Sequence, residues 1–249
     1  MSGAALRFEE LQGVDRIWHL RQAILLKGLS VPDLAAIAQI CSDRIYSKGE
    51  VIFSQDDVAD AIFILNRGCV RISVVNPTGR EKIVGLFKTG DIFGENILGQ
   101  HEKRKVQATA HEECWVSVVS RDNFLRMMSL KPELALNLIE ILTQKLAEAR
   151  EDIGALSFLD TEHRVAKTLL KLAARHGKLT VADRDMVKLM IPMSHEQLAR
   201  MIGGNRPHIS TIMSKFKKRG WIQYQGRKLL INTDALSAAT SLPHNGDRF

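Results

Sequence analysis

Cysteine is scarce in this sequence, and its three copies lie far apart. Cys41, Cys69 and Cys114 are separated by 28 and 45 residues, so they form neither a CxxC metal pattern nor an even disulfide framework. We expect buried free thiols and predict no metal site. No apolar run approaches the roughly 18 residues that span a bilayer, and the acidic pair at positions 9 and 10 precedes any stretch apolar enough for a signal peptide. These absences predict a cytoplasmic protein without a membrane partner.

Common enzyme motifs and the composition of fibrous or disordered chains are missing as well. The 249 residues are 45% hydrophobic and include only 6 prolines and 17 glycines, which excludes a collagenous or disordered protein. The length suits one large domain or two of ordinary size. The sequence contains no GxxxxGK[ST], HExxH or GxSxG pattern, so we do not expect an enzyme.

The formal charge of +7 is distributed unevenly along the chain. Residues 1–160 hold 19 basic and 22 acidic side chains, a net charge of −3, whereas residues 161–249 hold 16 basic and 6 acidic ones, a net charge of +10. Residues 206–228 include seven basic side chains and no acidic one. This asymmetry favours a polyanion as the partner of the C-terminal third. An ordinary solvated basic face is the alternative.

The hydrophobic period changes twice along the chain. After a candidate N-cap at Ser30, apolar residues recur at helical spacing up to Cys41, which predicts a helix. From Tyr46 to Val119 the period is two, in short runs separated by turn residues, which predicts an antiparallel barrel or jelly roll. The predicted strands cover residues 51–53, 61–65, 70–75, 82–87 and 114–119. Together these patterns indicate an α+β fold.

A long helix is predicted over residues 133–158, which contain no proline and only one glycine. Apolar residues recur along it at spacings of 4, 3, 4 and 3, as in the contact seam of a coiled coil. The seam residues are Leu142, Leu146, Ala149, Ile153 and Leu156. The pattern favours a homodimer, and packing against the protein's own barrel is the alternative.

Two short helices separated by a tight turn follow a second amphipathic helix at residues 161–176. Ser194 and Gln197 form a capping-box pattern at the start of the first, and Gly203-Gly204 permits the turn. Asn205 is a good N-cap for the second helix, whose inner face carries Ile209, Ile212, Met213 and Phe216. The spacing is typical of a helix-turn-helix, and residues 221–231 predict a β-hairpin wing after it.

The outer face of the second helix is polar throughout and suits the major groove of DNA. Arg206 is the candidate for a bidentate contact with guanine, and the basic residues after the helix and on the wing are candidates for phosphate contacts. The candidate DNA-binding residues are Ser194, Asn205, Arg206, His208, Ser210, Thr211, Lys215, Lys217, Lys218, Arg227 and Lys228. Double-stranded DNA is therefore the predicted partner.

Over about residues 20–236 the chain resembles the Crp/Fnr family of bacterial transcription regulators. The resemblance is carried by the winged helix-turn-helix and by five motifs in the family's order: Leu29-Ser-Val-Pro-Asp-Leu34, Lys48-Gly-Glu-Val-Ile-Phe53, Gly90-Asp-Ile-Phe-Gly-Glu95, Phe158-Leu-Asp160 and residues 165–170. It implies a cyclic-nucleotide-binding-like β-roll at 21–132, a dimerisation helix at 133–158 and a winged helix-turn-helix domain at 159–249. Residues 1–20 form an arm that stays unassigned.

The resemblance also implies an effector site on the β-roll. Gly94 and Glu95 match the pair whose Glu contacts the ribose in cyclic AMP binders, and Arg104 matches the phosphate-binding Arg. A short helix near Asn96 would direct backbone N–H groups at a phosphate. The sequence departs from the family where Lys105 replaces a Ser and where Ala149 and Arg150 replace a Thr-Ser pair that contacts adenine. The effector thus stays open between cyclic AMP, another anion or nucleotide held by Arg104, Lys105 and Arg150, and none.

Other cofactors receive no support from the sequence. The N-terminal cysteine cluster of Fnr-type regulators is absent, so no iron–sulfur cluster is expected, and His101, His111 and Cys69 are too generic to nominate as haem ligands. We expect a homodimeric, sequence-specific regulator that binds an inverted repeat and contacts RNA polymerase if it activates transcription. Pro207 and Thr211 differ from the cyclic AMP receptor, so the operator should differ too. A sensor module that acts through a protein partner is the rival hypothesis.

Overall fold

Short antiparallel strands form the centre of the first of two units, Met1–Ala147, in a computed structural model that describes residues 14–98, 103–180 and 185–241. The strands are β1 (Ser42–Tyr46), β2 (Val51–Phe53), β3 (Ala61–Arg67), β4 (Cys69–Val75), β5 (Glu81–Lys88), β6 (Ile92–Phe93), β7 (Gln107–Ala110) and β8 (Cys114–Ser120). They make two four-stranded sheets, in the orders β1-β8-β3-β6 and β2-β7-β4-β5. This is the predicted β-roll.

Aromatic side chains fill part of the space between the two sheets. The Phe63 and Phe93 rings stack with centroids 5.0 Å apart, and Phe53 lies 5.3 Å from Phe63. All three belong to one buried cluster that includes Leu65 and Val116. Successive residues of β3 are buried on both faces because one face meets this cluster and the other meets the helices.

Helices cover the outer face of the first sheet. They are α1 (Val14–Arg21), α2 (Val31–Ile40), α3 (Arg121–Leu130) and α4 (Pro132–Phe158), with a 3-10 helix at Ile24–Leu26. Ser30 caps α2 in a capping box with Asp33, as the sequence predicts for its N-terminus. Helix α1 includes the last part of the unassigned N-terminal arm, and residues 1–13 lie outside the described part.

Helix α4 has two apolar faces with different environments. Leu134, Leu138 and Ile141 are buried against the first unit. The predicted seam residues Leu142, Leu146, Ala149, Ile153 and Leu156 are all exposed, as are Ile139, one turn before Leu142, and Leu136, two turns before it. Leu142 and Leu146, the seam residues of the first unit, therefore do not pack against the β-roll of that unit.

The second unit, Glu148–Phe249, contains the C-terminal end of α4 and the elements that follow. These are α5 (Thr161–His176), β9 (Gly177–Leu179), β10 (Met186–Leu189), α6 (His195–Ile202), α7 (Arg206–Lys218), β11 (Ile222–Gln225), β12 (Lys228–Asn232) and α8 (Thr233–Ser241). The strands form one antiparallel sheet in the order β11-β12-β10-β9. Helices α6 and α7 are the predicted helix-turn-helix, and β11 and β12 are the predicted wing.

The start of α7 is fixed by the residues that the sequence singles out. Gly203 ends α6 in the left-handed conformation, with φ of 77°, and the Asn205 side chain accepts a hydrogen bond from the backbone N–H of His208. Pro207 lies in the first turn, where no intrahelical donor is lost. The four predicted inner residues of α7 are all buried.

Several elements lie outside the sequence prediction. Strands β1, β6, β7, β9 and β10 and helices α3 and α8 are found in addition, while Cys41, Cys69 and Cys114 are buried free thiols as expected. Burial raises the pKa of Cys41 to about 12 and that of Cys114 to about 11, so both stay protonated at neutral pH. None of the helices in the described residues combines the length and the hydropathy that a bilayer crossing requires.

Two leucines of the second unit provide a matched test of this core. Leu169 on α5 is 0% exposed, whereas Leu179 on β9 is 74% exposed. We expect Leu169→Ala to lower the free energy of unfolding by about 2–5 kcal/mol because it leaves a cavity. Leu179→Ala should change it by less than about 0.5 kcal/mol. Denaturant unfolding followed by circular dichroism measures both, and equal losses would contradict the packing described.

Candidate DNA interface and effector site

The outer face of α7 is exposed along its length and carries most of the predicted DNA-binding residues. Arg206 is the first residue of the helix and, like His208 and Thr211, is exposed. No acidic side chain lies on α7. Burial of the inner face fixes this orientation, since an apolar stripe that meets the core leaves the opposite face to solvent. The face can donate hydrogen bonds to base edges from its N-terminal half and bind phosphates at its C-terminal end.

Some predicted DNA-binding side chains already have partners within the protein. The Ser194 hydroxyl accepts a hydrogen bond from Gln197 N at 3.2 Å, and Asn205 Oδ1 accepts one from His208 N at 2.9 Å. Both residues thus act as helix caps. The Thr211 hydroxyl donates to the Pro207 carbonyl one turn earlier, at 3.2 Å. Capping uses the Asn205 oxygen, whereas its amide nitrogen is not needed for the cap.

Glu162 on α5 holds two cations at the C-terminal end of α7, a role that the sequence analysis missed. Its carboxylate pairs with Lys215 Nζ, and Arg219 Nη1 lies 3.1 Å from its other oxygen. The Arg219 guanidinium also lies 4.7 Å from the centre of the Trp221 ring. Glu162 is far from α7 in sequence, so only the helix packing shows this pairing.

The remaining predicted phosphate contacts are exposed. Lys217 and Lys218 lie in the last turn of α7, and Arg227 and Lys228 lie at the tip of the wing. The wing is an antiparallel hairpin in which Gln225 pairs with Lys228 across the turn. These cations lie on the elements that flank the polar face of α7.

The predicted effector residues Gly94, Glu95, Asn96 and Arg104 lie together on the β-roll. Gly94 has a φ of 80°, and a Cβ built on it would lie 2.8 Å from Arg104 Nη1 and 2.9 Å from the Phe63 ring. A 3-10 helix, Glu95–Leu98, follows it, where the sequence predicts a short helix near Asn96. Only glycine fits this position without displacing the arginine.

Arg104 is a buried cation on an aromatic floor. It is 1% exposed, and its guanidinium donates to Ala61 O at 2.6 Å, Gly94 O at 2.9 Å and Asn96 Oδ1 at 3.0 Å. Its Cζ lies 4.4 Å from the centre of the Phe53 ring. Burial lowers its pKa, and its Nε has no hydrogen-bond partner among the described residues. An anionic group fits this site, because the hydrogen bonds of Arg104 go to neutral oxygens and its ion pair with the exposed Asp60 is 4.0 Å long.

Lys145 on α4 also reaches this site. Its Nζ lies 2.8 Å from Glu95 Oε1, donates to Ile92 O at 3.2 Å and lies 4.7 Å from the centre of the Phe87 ring. Glu95, the predicted ribose ligand, is thus bound to the long helix. The sequence analysis missed Lys145, because an ion pair between residues 50 positions apart leaves no local pattern.

Two predicted effector residues have exposed side chains. The Lys105 side chain is exposed, in contrast to the buried side chain of Arg104 beside it. Arg150 is exposed on the part of α4 that belongs to the second unit. Both residues stay predictions as effector ligands.

Gly94 and Gly79 provide a matched test of the cradle around Arg104. Both have positive φ, 80° and 77°, but no atom lies within 4 Å of a Cβ at Gly79. We expect Gly79→Ala to lower the free energy of unfolding by about 1 kcal/mol through backbone strain alone. Gly94→Ala should cost more, by about 1–3 kcal/mol, because the methyl group also displaces Arg104 and Phe63. Denaturant unfolding of both variants checks this, and similar losses would show that the cradle is loose.

Comparisons with known proteins agree with this architecture. A cyclic nucleotide-binding domain model matches residues 43–130, and a Crp-like helix-turn-helix domain model matches residues 163–239. The CRP-like cAMP-activated global transcriptional regulator of Mycobacterium tuberculosis is 26% identical over 86% of this chain and 94% of its own length. The cyclic AMP receptor protein of Thermus thermophilus is 27% identical over 80% of this chain and 88% of its own length.

A solved structure supports the fold. The c-di-GMP responsive global regulator CLP of Xanthomonas campestris superposes with a TM-score of 0.70 at 20% identity, covering 81% of this chain and 99% of that one. The two domain models match in the order in which the β-roll and the helix-turn-helix occur here, and together they cover the larger part of the chain. The chain belongs to the Crp/Fnr family of transcription regulators, whose members are not enzymes.

Proposed function

We propose that this regulator binds an inverted-repeat operator as a homodimer and that an anionic effector at the β-roll modulates its activity. The observation that carries the DNA-binding part is the exposed polar face of α7, which starts at Arg206 and is flanked by cations and a paired wing. Arg206 reads a guanine, and the basic residues around it bind phosphates. The comparisons with regulators do not favour a protein partner in place of DNA.

The exposed seam of α4 supports the homodimer. Its apolar residues are exposed over about four turns, from Leu142 to Leu156, and Crp/Fnr regulators bind DNA as dimers and contact RNA polymerase. Burying this seam against a second copy removes apolar surface from water. Two copies then present their α7 helices to half-sites about 34 Å apart, one turn of the double helix.

We assign residues 21–132 to the effector domain, 133–158 to the dimerisation helix and 159–249 to the DNA-binding domain, with 1–20 as an N-terminal arm. A protein whose target is the operator DNA of a bacterial cell works in the cytoplasm, and we propose that location. The charge distribution supports the division, since the proposed DNA-binding domain, residues 159–249, has a net charge of +9 and the preceding residues have a net charge of −2.

An effector with a phosphate or similar anionic group fits the β-roll best. Arg104 supplies a buried charge, and the absence of a side chain at Gly94 leaves room for Arg104 and Phe63 to lie against its backbone. The Mycobacterium tuberculosis relative is cAMP-activated and the Thermus thermophilus relative is a cyclic AMP receptor protein, whereas the Xanthomonas regulator is responsive to c-di-GMP. Lys145 then supplies the connection to the long helix, because an effector that binds Glu95 competes with this lysine.

The two roles proposed for basic residues differ in what they do to specificity. We expect Arg206→Ala to weaken binding to the operator by about 1–3 kcal/mol and to relax preference at one base pair. Lys218→Ala should weaken operator and random duplex DNA alike and reduce the salt slope by about 1, because it removes a phosphate contact. Fluorescence anisotropy on an operator selected by the wild-type protein from a random duplex pool measures both.

Equal loss of operator and random DNA binding by Arg206→Ala would contradict its base-reading role. Salt-independent binding, or none to any duplex, would contradict the DNA-binding function and favour a protein partner.

Arg104, which is buried, and Arg71, which is half-buried, test the effector proposal. We expect one of cyclic AMP, cyclic GMP or c-di-GMP to raise the Tm of the wild-type protein. At a nucleotide concentration of 100 times the Kd, the corresponding stabilisation is about 2.7 kcal/mol. Arg104→Met should abolish this shift. Arg71→Met, which removes a cation paired with Glu81 elsewhere in the roll, should retain it. Equal shifts for wild type and Arg104→Met would contradict the site, and no shift in wild type would exclude these nucleotides as effectors.

A further inference from the structure

His195 connects three elements of the second unit. It is the first residue of α6, its Nδ1 lies 2.9 Å from the Ser210 hydroxyl on α7, and its Nε2 lies 2.9 Å from the Tyr224 hydroxyl on β11. The two aromatic rings are tilted at 54° with centroids 6.4 Å apart. Neither the capping pattern nor the hydrophobic period of the sequence points to this residue.

The bridge suits a neutral imidazole. One ring nitrogen then donates and the other accepts, and each hydroxyl can take either role. A continuous chain of hydrogen bonds therefore runs from Ser210 through His195 to Tyr224 in either tautomer. An aliphatic side chain at position 195 would break both bonds, whereas removal of one hydroxyl would break one.

The bridge is important for the wing because β11 is an edge strand. Among the described strands it is paired only with β12, and the Tyr224 side chain is 41% exposed. An edge strand with one neighbour is held less firmly than an inner strand. Ile222 of β11 is buried, and Gln225 accepts a hydrogen bond from Lys188 on β10. The bond to His195 adds an attachment of Tyr224 to the second turn of α7, one turn after Arg206.

We propose that His195 is a positioning residue that holds the wing in a fixed place relative to the recognition helix, so that base contacts and wing phosphate contacts form together. This inference rests on the proposed DNA-binding function. The phosphate contacts of Arg227 and Lys228 on the wing then depend on His195, which lies in neither the wing nor α7.

The charge around His195 gives the bridge a dependence on pH. Arg206 faces it from α7, Tyr224 from β11, and Glu196 follows it on α6 in an ion pair with Arg200. Burial and the nearby Arg206 charge hold the pKa of His195 below its ordinary 6.5, and burial raises the pKa of Tyr224. His195 is therefore neutral in the free protein at neutral pH.

DNA reverses this preference. Phosphates brought close to α7 and the wing favour the protonated imidazole, so the pKa of His195 is higher in the complex than in the free protein. Binding then takes up a proton, and affinity increases as the pH falls through the region around and below 6.5. His208 is exposed on α7 and also faces the proposed DNA, so a variant of His208 is a necessary control.

The test uses the full-length protein, random duplex DNA and an operator selected by the wild type from a random pool. Tyr224→Phe should lower affinity for both DNAs about threefold to tenfold and remove protection of the phosphates under the wing, while the base preference of Arg206 is kept. Ser214→Ala is the matched control, since its hydroxyl bonds the Ser210 carbonyl within α7 and not His195. It should leave wing protection intact.

A pH profile of affinity distinguishes positioning from simple loss of structure. His195→Gln, whose amide can take the place of Nε2 at Tyr224, should fold, retain part of the wing protection and lose part of the pH dependence seen in the wild type. His208→Gln is the control for the other histidine near the proposed interface. Tyr224→Phe removes the hydroxyl but keeps His195.

Wild-type wing protection in Tyr224→Phe, or a wild-type pH profile in His195→Gln, would overturn the inference while leaving DNA binding in place. Failure of the wild-type protein to bind any duplex would overturn the proposed function, and the inference with it.

Discussion

Burial of one face of α7 is the constraint on which the proposed interface depends. The inner face of α7 packs into the core of the second unit through Ile209, Ile212, Met213 and Phe216. The opposite face is therefore exposed to solvent or to a ligand. The cap at Asn205 then sets where the helix begins and hence where Arg206 lies on it. The apolar stripe and the cap are both local in sequence. The direction in which the polar face and Arg206 are presented is set only when the core fixes the rotation of the helix about its axis.

The β-roll is organised around a different constraint, a charge without a close counterion. Arg104 is surrounded by carbonyl oxygens and aromatic rings, and the nearest carboxylate, that of Asp60, is 4.0 Å away and mostly exposed. Burying a cation on these terms costs stability unless it is compensated. An anion that binds beside Gly94 and Glu95 would offset the desolvation of the Arg104 charge.

The sequence predicted those elements whose ends carry their own signals. The capped helix at Ser30, the uninterrupted helix up to Phe158 and the two helices around Gly203 follow the expected residues closely, because capping and turn formation involve neighbours in sequence. Strand β1 was missed because Ser42-Asp-Arg-Ile-Tyr46 has too few apolar residues to show a period of two. Its pairing with β8 comes from tertiary contacts.

The same distinction applies to the sites. The polar face of α7 could be predicted from residue types alone, whereas the Gly94-Glu95 pair was found through the resemblance to the family. The ion pair of Glu95 with Lys145, the clamp of Glu162 on α7 and the bridge through His195 join residues 15 to 57 positions apart, so they emerge only from the packing of the elements that carry them.

The position of Glu162 has a consequence for how the protein leaves DNA. A phosphate that binds Lys215 or Arg219 must replace a carboxylate that belongs to the protein, rather than a dissolved chloride ion. On dissociation the carboxylate is already at hand, whereas a mobile anion would have to return from bulk solution. DNA binding thus exchanges fewer small ions than the number of surface cations suggests. The affinity for non-specific DNA is correspondingly weaker than a count of lysines and arginines predicts.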